Sequence, residues 1–255
     1  MGIFLDIFVT VMGAAIGSFL NVCILRLPEE GQSIVRPSSR CPRCGHAIRW
    51  YDNVPILSYL ILRGACRDCG GKISLQYPLV EALTALLSFL LFRKYGLSWA
   101  WLFSFLFVCS LVVIAFIDLR HQIIPHAITL PGIPFFLAAA ALFMGYRFVD
   151  VFLGAAIGAA TLYFVAVYYE AVTGREGMGG GDVNLLAMIG AFLGWKSLLF
   201  VVLASSLLGA VVGIAVMVAK GKDMKYAIPF GPFLCIGAAA YLFCGERLME
   251  RILFR

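Results

Sequence analysis

Apolar residues in this chain run in long, nearly unbroken blocks rather than at the three-and-four spacing of an amphipathic helix. Eight blocks stand out, at about 3–25, 79–93, 98–118, 127–145, 149–170, 183–195, 197–219 and 228–246. A bilayer crossing takes about 20 apolar residues. The second and sixth blocks are short, and Gly194-Trp195-Lys196 alone separates the sixth from the seventh. The pattern predicts an all-α polytopic membrane protein of about eight transmembrane helices, with six or seven as the alternatives. The first block has no basic residue ahead of it and exceeds a typical signal-peptide h-region, so it is expected to be a first membrane helix.

Composition agrees with the pattern. Of 255 residues 62% are apolar and 13% charged, where a soluble domain carries roughly a quarter charged. Basic residues then give an orientation. With eight spans, one side receives thirteen of the twenty: eight between Arg26 and Pro78, Arg120, Arg175, and three lysines from Lys220 to Lys225. The positive-inside rule places that side in the cytoplasm, against the counterweight of Arg247, Arg251 and Arg255. The net charge of +6 follows from this topology and implies no nucleic-acid partner.

Three regions result: 1–25 as a first transmembrane helix, 26–78 as a polar cytoplasmic insert between the first and second helices, and 79–255 as the remaining membrane bundle. The insert carries Cys41-Pro42-Arg43-Cys44-Gly45 and Cys66-Arg67-Asp68-Cys69-Gly70, with 21 residues between the pairs. That spacing is close to a zinc ribbon's. Two thiolates from one tight turn fill two corners of a tetrahedron, and the following glycine lets backbone amides face the sulfurs. Four cysteines close the metal shell, so Cys41, Cys44, Cys66 and Cys69 predict a structural zinc whose binding supplies folding free energy to a segment with little core. The competing reading is two disulfides or plain thiols; a cytoplasmic location disfavours the former. Cys23, Cys109, Cys235 and Cys244 lie singly in apolar blocks and read as small hydrophobes.

Ionisable residues at membrane depth are costly and mark function by default. Asp6 and Asp150 fall near outer ends, where headgroups and water suffice, and Glu170 marks an inner end. Glu81, soon after Tyr77-Pro78, reads either as a helix-dipole partner or as a site residue. Asp118 ends the run from Val112 to Ile117, shortly before Ile124-Pro125; Asp182 follows Gly177-Met178-Gly179-Gly180-Gly181. Both map to the same membrane face. Adjacent carboxylates cannot both ionise cheaply, so they share a proton, and the ionised member can activate water while the other polarises a carbonyl. The plain alternative pairs Asp118 with Arg120 and makes Asp182 a helix N-cap.

Gly179-Gly180-Gly181-Asp182 resembles the G-x-G-D signature of bacterial type IV prepilin peptidases. Five further stretches are similar to that family in the same order: Gly17-Ser18-Phe19-Leu20-Asn21-Val22, the tetracysteine insert, Trp50-Tyr51-Asp52-Asn53 through Pro55, Asp118 with Pro125, and Ile228-Pro229-Phe230-Gly231-Pro232. The resemblance implies that Asp118 and Asp182 are the catalytic dyad and that residues 79–255 form a transmembrane peptidase domain. It implies prepilin and pseudopilin substrates, cleaved after a glycine at the cytoplasmic face of the bacterial inner membrane, in pilus or type II secretion systems. It also implies methylation of the new N-terminus with S-adenosylmethionine, whose site no nucleotide fingerprint reveals. Oligomeric state stays open.

A substrate helix must be extended for attack, and non-helical backbone at membrane depth needs protein or a wet cavity around it. Gly179, Gly180 and Gly181, together with Pro229, Phe230, Gly231 and Pro232, are therefore expected to flank the dyad. Asn184 and His126 depart from the family pattern, which often has Lys and Asp there. Gly13 and Gly17 read as helix-packing residues, and Ser18 and Asn21 as bonds to neighbouring helices. The rival classes are an ion-coupled transporter, which leaves the tetracysteine insert without a role, and a non-enzymatic scaffold, in which both acids are replaceable.

Overall fold

The computed structural model describes residues 2–29, 31–36, 38–174, 179–220 and 229–245. Arg175, Gly177, Met178, Lys222, Lys225, Ile228, Arg247, Arg251 and Arg255, used above in the orientation and motif arguments, lie outside these residues. The described residues are helical, with no strand beyond two isolated antiparallel bridges. In chain order they form α1 (Gly2–Arg26), a 3-10 turn (Trp50–Asn53), α2 (Leu57–Ile61), α3 (Gln76–Tyr95), α4 (Trp99–His121), α5 (His126–Phe143), α6 (Phe148–Thr173), α7 (Gly180–Leu193), α8 (Trp195–Lys220) and α9 (Gly231–Ala240), the last running into a π-helical turn (Tyr241–Gly245). Each of the eight apolar blocks thus becomes a helix. Five of them, α1, α4, α5, α6 and α8, are long and apolar enough to cross a membrane, while α7 and α9 are shorter apolar helices. The chain separates into two compact units, Met1–Val113 and Ile114–Arg255, with α4 contributing to both.

In the first unit α1 and α3 run antiparallel in a register fixed by small residues. A Cβ on Gly13 would lie 2.7 Å from the Ser88 Cβ, and one on Gly17 2.7 Å from the Glu81 Cα. This is the close approach that small residues permit between membrane helices. The Ser88 hydroxyl donates to the Val9 carbonyl at 2.9 Å, and Asn21 Nδ2 to the Tyr77 carbonyl at 3.1 Å. Asp6 pairs with Arg93 at 3.4 Å at the far end, so its charge is held at a helix terminus as the sequence reading expects. Trp101 of α4 donates its indole N–H to the Ser88 carbonyl at 3.2 Å.

In the second unit α7 is the centre, with every residue from Leu185 to Leu193 buried. It is hydrophobic all round because other helices surround it. Backbone-to-backbone contact with α6 needs Gly154 and Gly158: a Cβ at Gly154 would collide with the Gly190 carbonyl, and one at Gly158 would lie 2.6 Å from the Leu186 oxygen. On the α5 side, Gly132 makes room for Met188, and Phe136 meets Phe192 edge-to-face at 5.5 Å. Ser205 of α8 donates to the Phe233 carbonyl at 2.9 Å, joining α8 to α9. Asp150, near the start of α6, accepts the Trp195 indole N–H at 3.2 Å, the expected setting for an interfacial acid.

Candidate functional site

Two sites emerge, one in each unit. In the insert, the two cysteine loops fold alike. Cys41 N–H donates to His46 and Gly45 N–H to Cys41; twenty-five residues later Cys66 N–H donates to Gly71 and Gly70 N–H to Cys66. One bridge closes each loop, Arg40 with Ala47 and Ala65 with Lys72. The last residue of each motif has positive φ, 71° at Gly45 and 64° at Gly70, where a side chain would be strained. All four sulfurs lie within 4.8 Å of one another, and Cys41 and Cys69 are 3.8 Å apart. Zinc–sulfur bonds of about 2.3 Å in a tetrahedron set sulfurs about 3.8 Å apart, so the cluster fits that ion. The Cys44 and Arg43 amides point at the Cys41 sulfur and bring its thiol down to about 6. Cys44 receives the His46 amide, which lowers it, but burial and the neighbouring sulfurs push it up to about 11. One thiolate is thus ready at neutral pH, and a cation would draw the proton from the rest.

The second loop is braced by the 3-10 turn. Arg67, between Cys66 and Cys69, makes a forked pair with Asp52 at 2.6 and 3.0 Å and holds that carboxyl below the usual carboxylate range. Tyr51 lies under both Arg49 and Arg67. These contacts give the Trp50-Tyr51-Asp52-Asn53 stretch a structural role inside the insert. Glu81 gains partners from two other parts of the chain. It is buried, and its carboxylate accepts the Ile56 amide at 2.7 Å and the Ser18 hydroxyl.

In the second unit Asp118 and Asp182 come within electrostatic reach of each other. Asp118 sits in the last turn of α4 and is only 5% exposed. No ion pair with Arg120 exists among the described residues, so the plain interfacial reading of Asp118 fails. Asp182 is the third residue of α7, whose cap is the extended Gly179. The N-cap alternative fails with it. The Asp182 Oδ1 is buried and has no hydrogen-bond partner among the described residues.

Glycine makes the rest of the site. Gly231 begins α9 beside Asp118, whose carboxylate accepts its backbone N–H, and a Cβ there would lie 2.6 Å from Asp118 Oδ2. Gly181 faces Ile124, where a Cβ would lie 2.7 Å from the Ile124 Cβ. Ile124 also reaches Gly231, its Cδ1 3.1 Å from that glycine's ideal Cβ. It wedges between the two glycines that adjoin the acids. Cys235, one turn into α9, is buried within reach of both carboxylates. Gly180 and Gly179 form the extended entry and first turn of α7, Phe230 is the residue before α9, and Pro229 and Pro232 bracket the turn that carries Gly231. Sequence reasoning missed Ile124 and Cys235. The two departures, His126 and Asn184, face each other: Asn184 Nδ2 and His126 Nδ1 are 3.2 Å apart, joining the starts of α5 and α7.

A family model described as the Bacterial Peptidase A24 N-terminal domain matches residues 11–95, and one described as the Type IV leader peptidase family matches residues 105–214. Three similar proteins carry the name prepilin leader peptidase/N-methyltransferase. The one from Pseudomonas putida is 38% identical over 94% of this chain and 90% of its own length. The one from Pseudomonas aeruginosa is 36% identical over 95% and 91%. The one from Myxococcus xanthus is 47% identical over 85% of this chain and 64% of its own length. No solved structure matches significantly. None of these matches supports a transporter.

Proposed function

This chain belongs to the type IV leader peptidase family, and from that premise we propose that it removes the leader of type IV prepilins and pseudopilins with Asp118 and Asp182. The observation that carries this assignment is a pair of acids from separate helices, within each other's field, one of them with a buried and unpartnered oxygen. An orphaned carboxylate oxygen is costly in a fold and useful in a site. Here it has a natural occupant in a water molecule or a substrate carbonyl.

Chemically, the pair holds one proton between two carboxyls. The ionised member takes a proton from water as the oxygen attacks the scissile carbonyl carbon. The protonated member hydrogen-bonds the carbonyl oxygen as it gains charge. Collapse of the tetrahedral intermediate breaks the carbon–nitrogen bond, and the proton passes to the departing amine. The Gly231 amide holds the Asp118 carboxyl in place, and Ile124 keeps the floor of the site apolar. Gly179 and Gly180 leave open backbone beside Asp182 for an extended substrate: a Cβ on Gly180 would meet nothing within 4 Å.

The names of the relatives extend the function to N-methylation of the new amino terminus. S-adenosylmethionine is the methyl co-substrate of that second reaction. Zinc in the four cysteines serves the fold of the insert, because four sulfurs leave no ligand position for substrate. The distribution of basic residues supports a cytoplasmic side for the acids and the insert. The test is leader removal from a synthetic prepilin by the reconstituted protein, with Asp118→Asn and Asp182→Asn alongside. Each substitution is expected to lower cleavage by at least about a thousandfold while the protein stays folded. Retained cleavage in either variant overturns the dyad.

A further inference from the structure

The segment from Trp50 to Leu62 is out of keeping with a water-exposed insert. In α2 the residues Leu57, Leu60 and Ile61 are 57, 64 and 73% exposed, and Trp50 is 83% exposed. Clustered apolar exposure on so short an element calls for a partner. The tether of this segment says where the partner is. Ile56 takes φ 63°, rare for a β-branched residue. Its amide is held in that conformation by Glu81 at 2.7 Å, and Glu81 lies inside the α1–α3 pair, level with Gly17.

Depth follows from helix geometry. Arg93, paired with Asp6, marks one end of α1 and α3. Glu81 is twelve residues along α3, about 18 Å away at 1.5 Å per residue. The hydrocarbon layer is about 30 Å thick. The attachment point of α2 therefore lies about 10 Å inside the opposite boundary of the hydrocarbon layer.

Irregular backbone survives at that depth only when its polar groups are satisfied by protein. This stretch meets that condition through side chains. Ser58, buried at the start of α2, accepts the Val54 amide at 2.9 Å and donates to the Tyr51 carbonyl at 3.0 Å. Glu81 accepts the Ile56 amide, and Asp52 N–H donates to Arg49 at 3.0 Å. Around it the insert carries eight basic and four acidic residues between Arg26 and Pro78, suiting an anionic leaflet.

We propose that residues 54–62 form a wedge inserted into the lipid leaflet, with Leu57, Leu60 and Ile61 among acyl chains and Trp50 at the headgroup level. The cysteine loops are thereby held down against the bilayer surface. This inference concerns the first unit alone and stands whether or not the dyad assignment survives.

The test places a benzophenone amino acid at Leu60 or Ile61 in the full-length protein, in nanodiscs of phosphatidylethanolamine and phosphatidylglycerol. Leu86, exposed on α3, serves as lipid-facing control, and His46, exposed in the first cysteine loop, as aqueous control. Phospholipid adducts at positions 60 and 61 should match those at 86 and exceed those at 46 by about tenfold. Absence of lipid adducts at 60 and 61, with 86 labelled, overturns the wedge. So does crosslinking to added prepilin in place of lipid, which would make the surface a substrate contact. A second reading needs no change at α2: brominated phospholipid should quench the emission component that Trp50→Phe removes. Unquenched Trp50 emission likewise overturns the proposal.

Discussion

The cysteine cluster and the acid pair are assembled in opposite ways. Each half of the cysteine cluster is complete within one loop: ligands three residues apart, a left-handed glycine, and amides already facing sulfur. The acid pair is assembled by tertiary packing alone, from residues 64 positions apart, and its neighbours arrive on α7, α9 and the connection between α4 and α5. The first site, on the proposed reading, is stabilised by the ion its four sulfurs can hold. The second needs helices that approach closely enough, and glycine supplies that approach. A local site tolerates changes elsewhere in the fold, whereas a packed site does not.

The contrast can be broken most severely at the metal. Cys44→Ser, or a strong chelator, should unfold the insert, because structural zinc contributes about 10 kcal/mol or more to small domains at neutral pH. Zinc content by mass spectrometry and proteolysis between residues 29 and 76 would read this. If the insert stays protease-resistant without metal, the cluster is not what folds it. Next in size is Gly231→Ala, whose Cβ would press on Asp118 Oδ2 at 2.6 Å. A displaced catalytic group costs about a hundredfold in kcat, and metal content should not change; a variant of wild-type rate would remove Gly231 from the site.

Gly154→Ala comes third. Overpacking of the α6–α7 contact should cost about 1–3 kcal/mol, seen as a lower midpoint of thermal unfolding. Cleavage should fall with it, since α7 carries Asp182. The smallest effect belongs to Asp52. Arg67 holds its carboxyl below the usual range, so the pair contributes stability above the unfolded carboxyl value, near pH 4, which is lost as pH falls toward the lower folded value. Asp52→Asn should flatten the acid limb of the insert's proteolysis profile below about pH 4 and leave its neutral behaviour nearly unchanged. An unaltered acid limb would remove the Arg67 pair from the account.

The same contrast explains what was legible in the sequence. Eight apolar blocks mark eight helices because continuous apolar runs fit a bilayer or a helix-lined interior, and the C-x-x-C-Gly spacing marks the cysteine loops because everything they need is local. Asp118 and Asp182 could be picked out as acids in unusual settings, and the glycines around Asp182 as close-approach residues. That Ile124 would lie between Gly181 and Gly231 was not readable, since no periodicity encodes a contact between a loop residue and two distant helices. Glu81 was left between two roles for the same reason. Its partners, Ile56 and Ser18, come from separate parts of the chain. Helix α2 went unseen because five residues are too few to show a period.

The length of α7 has a consequence for the supply of water. Fourteen residues make a helix about 21 Å long, against a hydrocarbon layer of about 30 Å. If Trp195, bonded to Asp150, sets the Gly194 end at the interface as the proposed topology has it, the shortfall of about 9 Å falls at the end that carries Asp182. On the proposed topology α7 therefore starts beneath the membrane surface, with the extended Gly179 as its entry. Hydrolysis in a lipid environment is limited by the delivery of its second substrate. With Asp182 in the proposed dyad, a helix too short to reach the surface would leave that substrate a path of only a few molecular diameters.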